Sequence, residues 1–228
     1  MALISLANRK LAEYNERIKT KPTAYAYHMR GFCYKVLGMY RQAFADYKKA
    51  IELEPLDSLN YILRGSLYLE MRKYERALAD YDKAIEINPN NYLRYETRGK
   101  FYLARKNYTR ALADYNKVVE LSPNAASYVE RANIYHEFGD SAQALADYRK
   151  AIEFEPKSAK DYYSRGRAYF HLKQYAEALA DFDKYIELKE NYEPDCYDLR
   201  GKCYRALGNN VRAQADFARV KLCGRRLF

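Results

Sequence analysis

The 228-residue sequence has no tryptophan, only four cysteines and only three histidines. The cysteines form no CxxC pair. Cys196 and Cys203, seven residues apart on one predicted helix, would lie about 10 Å apart, too far for a disulfide. His28, His136 and His171 do not have the spacing of metal ligands. We therefore expect reduced thiols, a cytoplasmic location, and no metal or other cofactor.

Long apolar segments are also missing. No apolar run approaches the roughly 18 residues of a membrane span. Residues 1–7 lack the basic segment and the long apolar segment of a signal peptide. The sequence therefore predicts neither a membrane span nor a secretion signal.

Tyrosine and positive charge are abundant instead. The 26 tyrosines explain why 49% of the residues are hydrophobic while the mean hydropathy is −0.65. The formal net charge of +10 raises the question of nucleic-acid binding. Residues 1–23 carry +3 and residues 219–228 carry +4, which leaves +3 for residues 24–218. Most of the excess charge therefore lies in these two basic ends.

Four prolines reveal an internal repeat. Pro55, Pro89, Pro123 and Pro156 each end a similar phrase, such as IELEP or IEINP, at spacings of 34, 34 and 33 residues. With the proline slot numbered 32, six repeats begin at residues 24, 58, 92, 125, 159 and 194. The apolar and small residues within a repeat follow steps of three and four, which are helical. Each repeat therefore predicts two helices joined by a turn.

Small and aromatic residues recur at fixed positions of the repeat. Position 8 is occupied by Gly31, Gly65, Gly99, Ala132, Gly166 and Gly201. Position 20 is alanine in all six repeats, and position 24 is occupied by Tyr47, Tyr81, Tyr115, Tyr148, Phe182 and Phe217. Glycine inside a helix costs about 1 kcal/mol relative to alanine, so its recurrence predicts two helices in close approach.

This pattern resembles the tetratricopeptide repeat family across residues 24–225. The resemblance implies an all-α, right-handed superhelical solenoid of antiparallel helix pairs, with six repeats in residues 24–228. Residues 1–23 resemble a lone second helix and predict an N-terminal capping half-repeat. In the last repeat, Gln214 and Lys221 replace apolar residues at positions 21 and 28, so we expect a polar C-terminal face and a complete array.

One position departs from the family pattern. Position 7, usually leucine in the family, is arginine in every repeat, and position 23 is aspartate in every repeat. The two columns predict Arg–Asp pairs between packed helices, with a row of ligand-binding arginines as the alternative. The arginines are Arg30, Arg64, Arg98, Arg131, Arg165 and Arg200, and the aspartates are Asp46, Asp80, Asp114, Asp147, Asp181 and Asp216.

The family also implies a concave groove lined by the first helix of each repeat. Carried over by position, the early groove residues are apolar: Met29, Phe32, Val36, Ile62, Leu63 and Leu69. The later ones are mostly polar: Lys100, Glu130, Asn133, Arg167, Phe170, Lys202 and Arg205. We expect apolar anchoring and then polar selection of a peptide or helix from a partner protein. Packing between helices is the alternative explanation for part of this lining.

Other functions fit the sequence less well. The five-residue carboxylate clamp of chaperone-adaptor repeats fails in every three-repeat window, so the heat-shock chaperone C-terminal motif is not an expected ligand. The groove positions sum to about zero charge, which makes nucleic acid an unlikely partner except through the basic ends. No phosphate loop and no nucleophile–base pattern remain, so no enzyme is expected. Homo-oligomerisation through the groove or the ends stays an alternative.

Overall fold

The computed structural model describes residues 2–189 and 194–224. Within these residues the chain has thirteen α-helices and no β-strand, which confirms the predicted all-α class. The helices are α1 (Ala2–Thr20), α2 (Ala24–Val36), α3 (Tyr40–Leu53), α4 (Ser58–Glu70), α5 (Tyr74–Ile87), α6 (Tyr92–Leu103), α7 (Tyr108–Leu121), α8 (Ala125–Phe138), α9 (Ser141–Ile152), α10 (Ala159–His171), α11 (Tyr175–Leu188), α12 (Pro194–Ala206) and α13 (Asn210–Gly224).

The helices pack in chain order within two compact units, Met1–Arg105 and Lys106–Phe228. In the first unit, α1 packs on α2, and this consecutive packing continues to α6. In the second unit it runs from α7 to α13. We call α2, α4, α6, α8, α10 and α12 the first helices of the repeats. They begin at the six residues where the sequence places the repeat starts, whereas Arg225 and Arg226 of the basic C-terminal end lie outside the described residues.

Short polar side chains start the first helices. The side chains of Thr23, Asp57, Asn91, Asn124 and Ser158 each accept a hydrogen bond from a backbone N–H of the helix that follows. Such caps satisfy amide groups that the first turn of a helix leaves without partners. Local sequence therefore sets where each of these helices begins.

The turn within each repeat needs a left-handed residue. Gly38, Gly139 and Gly208 have φ values of 73°, 95° and 80° at this position. Arg72, Lys106 and Lys173 take the same place in the other repeats, with φ values of 58°, 55° and 62°. A residue with a Cβ pays roughly 1–2 kcal/mol for this conformation, and at Arg72 and Lys173 the packing of α4 on α5 and of α10 on α11 offsets that cost.

The two helices of a repeat meet at the position 8 glycine. A Cβ on Gly65 would lie 2.7 Å from Cε1 of Tyr81, and a Cβ on Gly166 would lie 2.8 Å from Cε1 of Phe182. Tyr81 and Phe182 are both buried, so their rings cannot move aside at low cost. The predicted close approach is therefore confirmed. In the fourth repeat, the fully buried Ala132 takes the place of the glycine.

The position 7 arginines pair with the position 23 aspartates. In the second repeat, Arg64 donates Nε–H to Oδ2 of Asp80 at 2.9 Å and Nη2–H to Oδ1 at 2.7 Å. The same two-bond geometry occurs in the first, fourth, fifth and sixth repeats, at 2.6 to 2.8 Å. These bonds raise the pKa of the arginines and keep them charged. In these repeats the arginine is a structural bridge between helices.

Tyrosines of the same helix flank these arginines. The guanidinium of Arg131 lies 5.6 Å from the ring centre of Tyr128 and 5.9 Å from that of Tyr135. Positions 4 and 11 lie one helical turn on either side of position 7, so both rings reach the guanidinium from its own helix. The tyrosine columns therefore support the bridge as well as fill the core.

We expect Gly65→Ala to lower the stability of the chain by about 1 kcal/mol or more, because the added Cβ would overlap the ring of Tyr81. Helix propensity alone predicts the opposite, a gain of about 1 kcal/mol. The midpoint of urea unfolding, followed by circular dichroism, decides between them. A higher midpoint in the variant would show that close approach is not the reason for glycine here.

We expect Asp80→Asn to lower the free energy of unfolding by about 3 kcal/mol, because it leaves the guanidinium of Arg64 half-buried without its carboxylate. Glu86→Gln, on the same helix α5, is the matched control. It removes an exposed partner of Lys83, so its unfolding midpoint should stay close to that of the wild type. Equal losses in the two variants would contradict a special role for the buried pair.

Candidate functional site

Several of the predicted apolar groove residues are engaged in helix packing. Met29 and Val36 pack against the cluster that joins α1 and α2, and Leu63 packs against the cluster of α3 and α4. Ile62 is only 8% exposed. These side chains therefore offer limited area to a partner.

Phe32 differs from its neighbours because its side chain stays accessible. It lies in the middle of α2 and is 42% exposed. Leu69 is half-buried on α4, and Lys100 is exposed on α6, where its ammonium bonds the carboxylate of Glu96. Within the first unit, Phe32 is thus the most exposed of the predicted apolar groove residues.

In the second, fourth, fifth and sixth repeats, the residue at position 9 of the first helix is matched to the aromatic residue at position 24. In the fourth repeat, the Tyr148 hydroxyl donates to Oδ1 of Asn133 at 2.6 Å. In the second repeat, burial raises the pKa of Tyr81, and a hydrogen bond with Ser66 opposes that rise. In the fifth and sixth repeats, position 9 is a cation and position 24 is phenylalanine, which has no hydroxyl to satisfy.

The first repeat breaks this match. Position 9 is Phe32, which cannot bond the hydroxyl of Tyr47. That hydroxyl is buried and has no hydrogen-bond partner among the described residues. A buried polar group without a partner costs free energy of folding. The first repeat therefore lacks the hydrogen bond that Asn133 accepts from Tyr148 in the fourth repeat, and Phe32 stands at the position where that partner would be.

The second unit carries a polar cluster on its first helices. Arg167 of α10 donates to Oε1 of Glu130 on α8 at 2.7 Å, which links two neighbouring first helices. The ring of His171 stacks on that of Tyr148, with centroids 4.5 Å apart and planes 3° from parallel. His136 lies 6.1 Å from His171. The predicted residues Glu130, Asn133 and Arg167 thus lie with His171, which the position pattern also places in the groove, and with Tyr148, which the sequence analysis assigned to helix packing.

The rings of His171 and Tyr148 in this cluster are uncharged at neutral pH. The pKa of His171 is lowered to about 4, mainly by burial and in smaller part by the nearby positive charge of Arg167 and by His136. Burial also raises the pKa of Tyr148 to about 12. The cluster therefore presents neutral hydrogen-bonding rings beside one ion pair.

The remaining predicted residues lie on α10 and α12. Phe170 packs against the core cluster of the fifth repeat. Lys202 is bonded to Asp198 of its own helix at 2.6 Å, and the guanidinium of Arg205 lies 5.5 Å from the ring centre of Phe217. Lys202 and Arg205 are therefore held by local contacts on α12.

The described residues contain no cluster of three or more histidine, cysteine or acidic side chains that could hold a metal ion. Cys33, Cys196 and Cys203 are buried in the helix cores. Burial raises the pKa of Cys203 to about 12, which makes it a poor nucleophile. No helix within residues 2–189 and 194–224 has the length and apolarity needed to cross a membrane.

We expect the pKa of His171 to be near 4 in an NMR titration, well below the 6.5 of an exposed histidine. Between these values the unfolded chain binds a proton that the folded chain does not. The free energy of unfolding should therefore fall as the pH drops through this window, and fall less in His171→Gln. A measured pKa near 6.5, or equal pH dependence in both proteins, would contradict the burial of this ring.

Solved structures with the same arrangement of helices are known. A chain of the Cut9–Hcn1 hetero-tetramer of the APC/C is 16% identical over 94% of this chain, with a TM-score of 0.67, and this chain spans 43% of it. A tetratricopeptide repeat protein of Parabacteroides merdae is 23% identical, with 96% and 91% of the two chains covered and a TM-score of 0.63. PilF of Pseudomonas aeruginosa is 16% identical, with 88% and 91% covered and a TM-score of 0.64.

Comparison by sequence gives the family. No curated protein matches the chain by sequence. Models of the tetratricopeptide repeat match residues 24–56, 61–91, 94–124 and 132–200, which together make up well over half of the chain. The fold supports protein–protein interaction scaffolds in general. With its six helix-pair repeats and these matches, the chain belongs to the tetratricopeptide repeat family.

Proposed function

We propose that this chain is a non-catalytic scaffold that holds a segment of a partner protein along its first helices. The observation that carries the proposal is Phe32, an aromatic ring left 42% exposed in the middle of α2. Keeping this ring leaves the Tyr47 hydroxyl buried without a partner among the described residues. A feature that costs stability in the free chain is explained by binding, where an aromatic anchor contributes strongly to affinity.

The second unit offers a polar surface of its own. Arg167 uses one of its five N–H groups to bond Glu130, so the others can donate to a partner. Asn133 and the neutral ring of His171 add hydrogen-bonding groups close by. Polar groups of this kind select the register and identity of a bound segment more than they add affinity.

Paired charges favour a protein partner over nucleic acid. On the first helices, Lys35 bonds Glu70 at 2.8 Å and Lys202 bonds Asp198 at 2.6 Å, and Lys100 and Arg167 are bonded to glutamates as well. Nucleic-acid binding depends on cations that are free to replace the counterions of phosphates. Self-association through the same surfaces is the alternative within this proposal, and light scattering after size-exclusion chromatography detects it.

We expect Phe32→Glu to weaken capture of specific protein partners by roughly ten-fold or more, because it places a charge where an apolar anchor binds. Affinity purification of the full chain from its native cells, followed by quantitative mass spectrometry, measures the loss. Val211→Glu is the control, because Val211 is also exposed but lies on the second helix α13. Equal partner sets for Phe32→Glu, Val211→Glu and the wild type would rule out binding at Phe32.

A further inference from the structure

The position 7 arginine also bonds the second helix that precedes its own repeat, and we call this contact between the two helices a seam. In the sixth repeat, Arg200 of α12 donates Nη1–H to Oδ1 of Asp183 on α11 at 2.6 Å. Four seams have this bond, at 2.6 to 3.0 Å, and in each the acceptor is the residue at position 25 of the preceding helix. The pairs are Arg30–Asn15, Arg98–Asp82, Arg131–Asn116 and Arg200–Asp183.

Two seams lack this bond because a cation stands at position 25. Lys48 of α3 precedes Arg64 of α4, and Arg149 of α9 precedes Arg165 of α10, by 16 residues in both cases. These helices pack on each other as they do at the other seams. Arg64 and Arg165 use Nε–H and Nη2–H for their aspartates, and neither donates Nη1–H to any described residue. We call these two contacts, one in each compact unit, the cationic seams.

Within the described residues, no other acceptor takes the place of the missing one. Position 3 lies one helical turn before position 7 and is occupied by Asn60 in α4 and Asp161 in α10. Asn60 is fully buried, and neither its Oδ1 nor its Nδ2 has a partner. Oδ2 of Asp161 accepts hydrogen bonds from Ser158 at the start of its own helix. Both arginines therefore keep Nη1 for an acceptor from outside the chain.

Such an acceptor has room beside the Arg–Asp bridge. The side chains of Arg64 and Arg165 are 21% and 22% exposed, although the aspartates that they bond are buried. At the equivalent seam of α1 and α2, a cavity of about 400 Å³ is lined by Asn15, Ile18 and Arg30, among others. A small group from another molecule can therefore approach position 7 without separating the two helices.

The cationic seams carry charge that the chain does not balance. Because the arginine at position 7 and the aspartate at position 23 cancel, position 25 leaves each of these two seams with a net charge of +1. Lys48 approaches Glu52 only to 3.8 Å, and that glutamate bonds Lys49 at 3.1 Å. On α9, Glu153 bonds Lys150 rather than Arg149. Each cationic seam is therefore complementary to one negative charge.

A carboxylate fits this requirement best. In the third and sixth repeats, Nη1 of the position 7 arginine already holds the carboxylate of Asp82 or Asp183 at 2.6 Å. Hydrogen bonds of this kind, between charged groups, are stronger than those between neutral groups. A phosphate dianion would exceed the single positive charge of the seam, whereas a carboxylate matches it.

We propose that each cationic seam binds the carboxylate of an acidic side chain from a partner protein. The carboxylate accepts from Nη1 of Arg64 or Arg165 and is paired with the cation at position 25, Lys48 or Arg149. It takes the place that an aspartate of the chain itself takes in the third and sixth repeats. The inference rests on the proposed function only in taking the carboxylate from a protein, and its site is separate from Phe32 and from position 9.

The test titrates the full chain with a tetraglutamate peptide capped at both ends and follows the arginine Nε–H signals by NMR. The signals of Arg64 and Arg165 should shift, with a dissociation constant in roughly the millimolar range. Arg30, Arg131 and Arg200 are internal controls, because they make the same bridge but their Nη1 is already bonded. Their signals should shift at least about five-fold less.

Two further ligands establish the chemistry of the site. Capped tetraglutamine has the same length without charge and should shift neither Arg64 nor Arg165. Inorganic phosphate should bind at least about ten-fold more weakly than tetraglutamate. If phosphate binds as tightly as the peptide, or more tightly, the seams are phosphate sites and the inference is wrong.

Variants that copy other repeats locate the site. Lys48→Asn supplies the acceptor found at Asn15, so Arg64 should lose its response while Arg165 keeps its own. Lys49→Asn is the matched control, because it makes the same change at the next residue, whose ammonium bonds Glu52. Circular dichroism melting curves verify that the variants fold.

The seam of the second unit is tested in the same way. Arg149→Asn should remove the response of Arg165 alone, with Lys150→Asn as its control. In the opposite direction, Asn116→Lys removes the acceptor of Arg131, and the signal of Arg131 should then respond to the peptide. The inference fails if the control arginines respond as strongly as Arg64 and Arg165, or if these variants leave the responses unchanged.

The outcome is separable from that of the proposed function. Phe32→Glu should leave the shifts of Arg64 and Arg165 unchanged, because its site is elsewhere. Absent shifts together with loss of partners in Phe32→Glu would overturn this inference alone. Shifts as expected together with full partner capture by Phe32→Glu would overturn binding at Phe32 alone.

Discussion

The close approach of the two helices within a repeat is the constraint on which the other contacts depend. A glycine on the first helix lets the aromatic ring at position 24 lie against the backbone, as at Gly65 and Tyr81. The residues on either side of that glycine are then brought to the second helix. Position 7 reaches the aspartate at position 23, and position 9 reaches the hydroxyl at position 24. The arginine of the Arg–Asp bridge and the position 9 residue of the candidate site thus lie on either side of the same glycine.

Positions 7 and 9, on either side of this glycine, differ in how much their residue can vary. In five repeats the arginine at position 7 is half-buried and makes two hydrogen bonds to a buried aspartate, so loss of that carboxylate leaves a charge unsatisfied. Position 9 lies at the accessible edge of the same contact, and its residue varies from Phe32 to Asn133 to Arg167. The aromatic residue at position 24 varies with it: Tyr148 bonds Asn133 in the fourth repeat, and the fifth repeat, with Arg167 at position 9, has Phe182. Because the arginine at position 7 is constant while position 9 varies, each repeat can present a different side chain to a partner.

Much of the fold could be predicted from the sequence because its signals are periodic. The helix starts, the Arg–Asp bridges and the close approach at glycine each recur at one position of a repeat, and repetition separates them from chance. The residues of the candidate site were harder to predict from the sequence. Met29 and Leu63 have the same apolar character as Phe32, yet they pack into clusters that include α1 or α3. His171 stacks on Tyr148, 23 residues earlier in the chain, and no local pattern signals that contact.

By itself the sequence determined the all-α class, the presence of six repeats, and which residue types face each other between the two helices of a repeat. These properties follow from local spacing, since side chains three and four residues apart share one face of a helix. Only the tertiary structure decided how much of each side chain remains accessible and which rings lose their charge. Neighbouring helices leave the side chains of Tyr25 and Phe32 in contact with water. Other helices exclude water from His171, and this burial lowers its pKa.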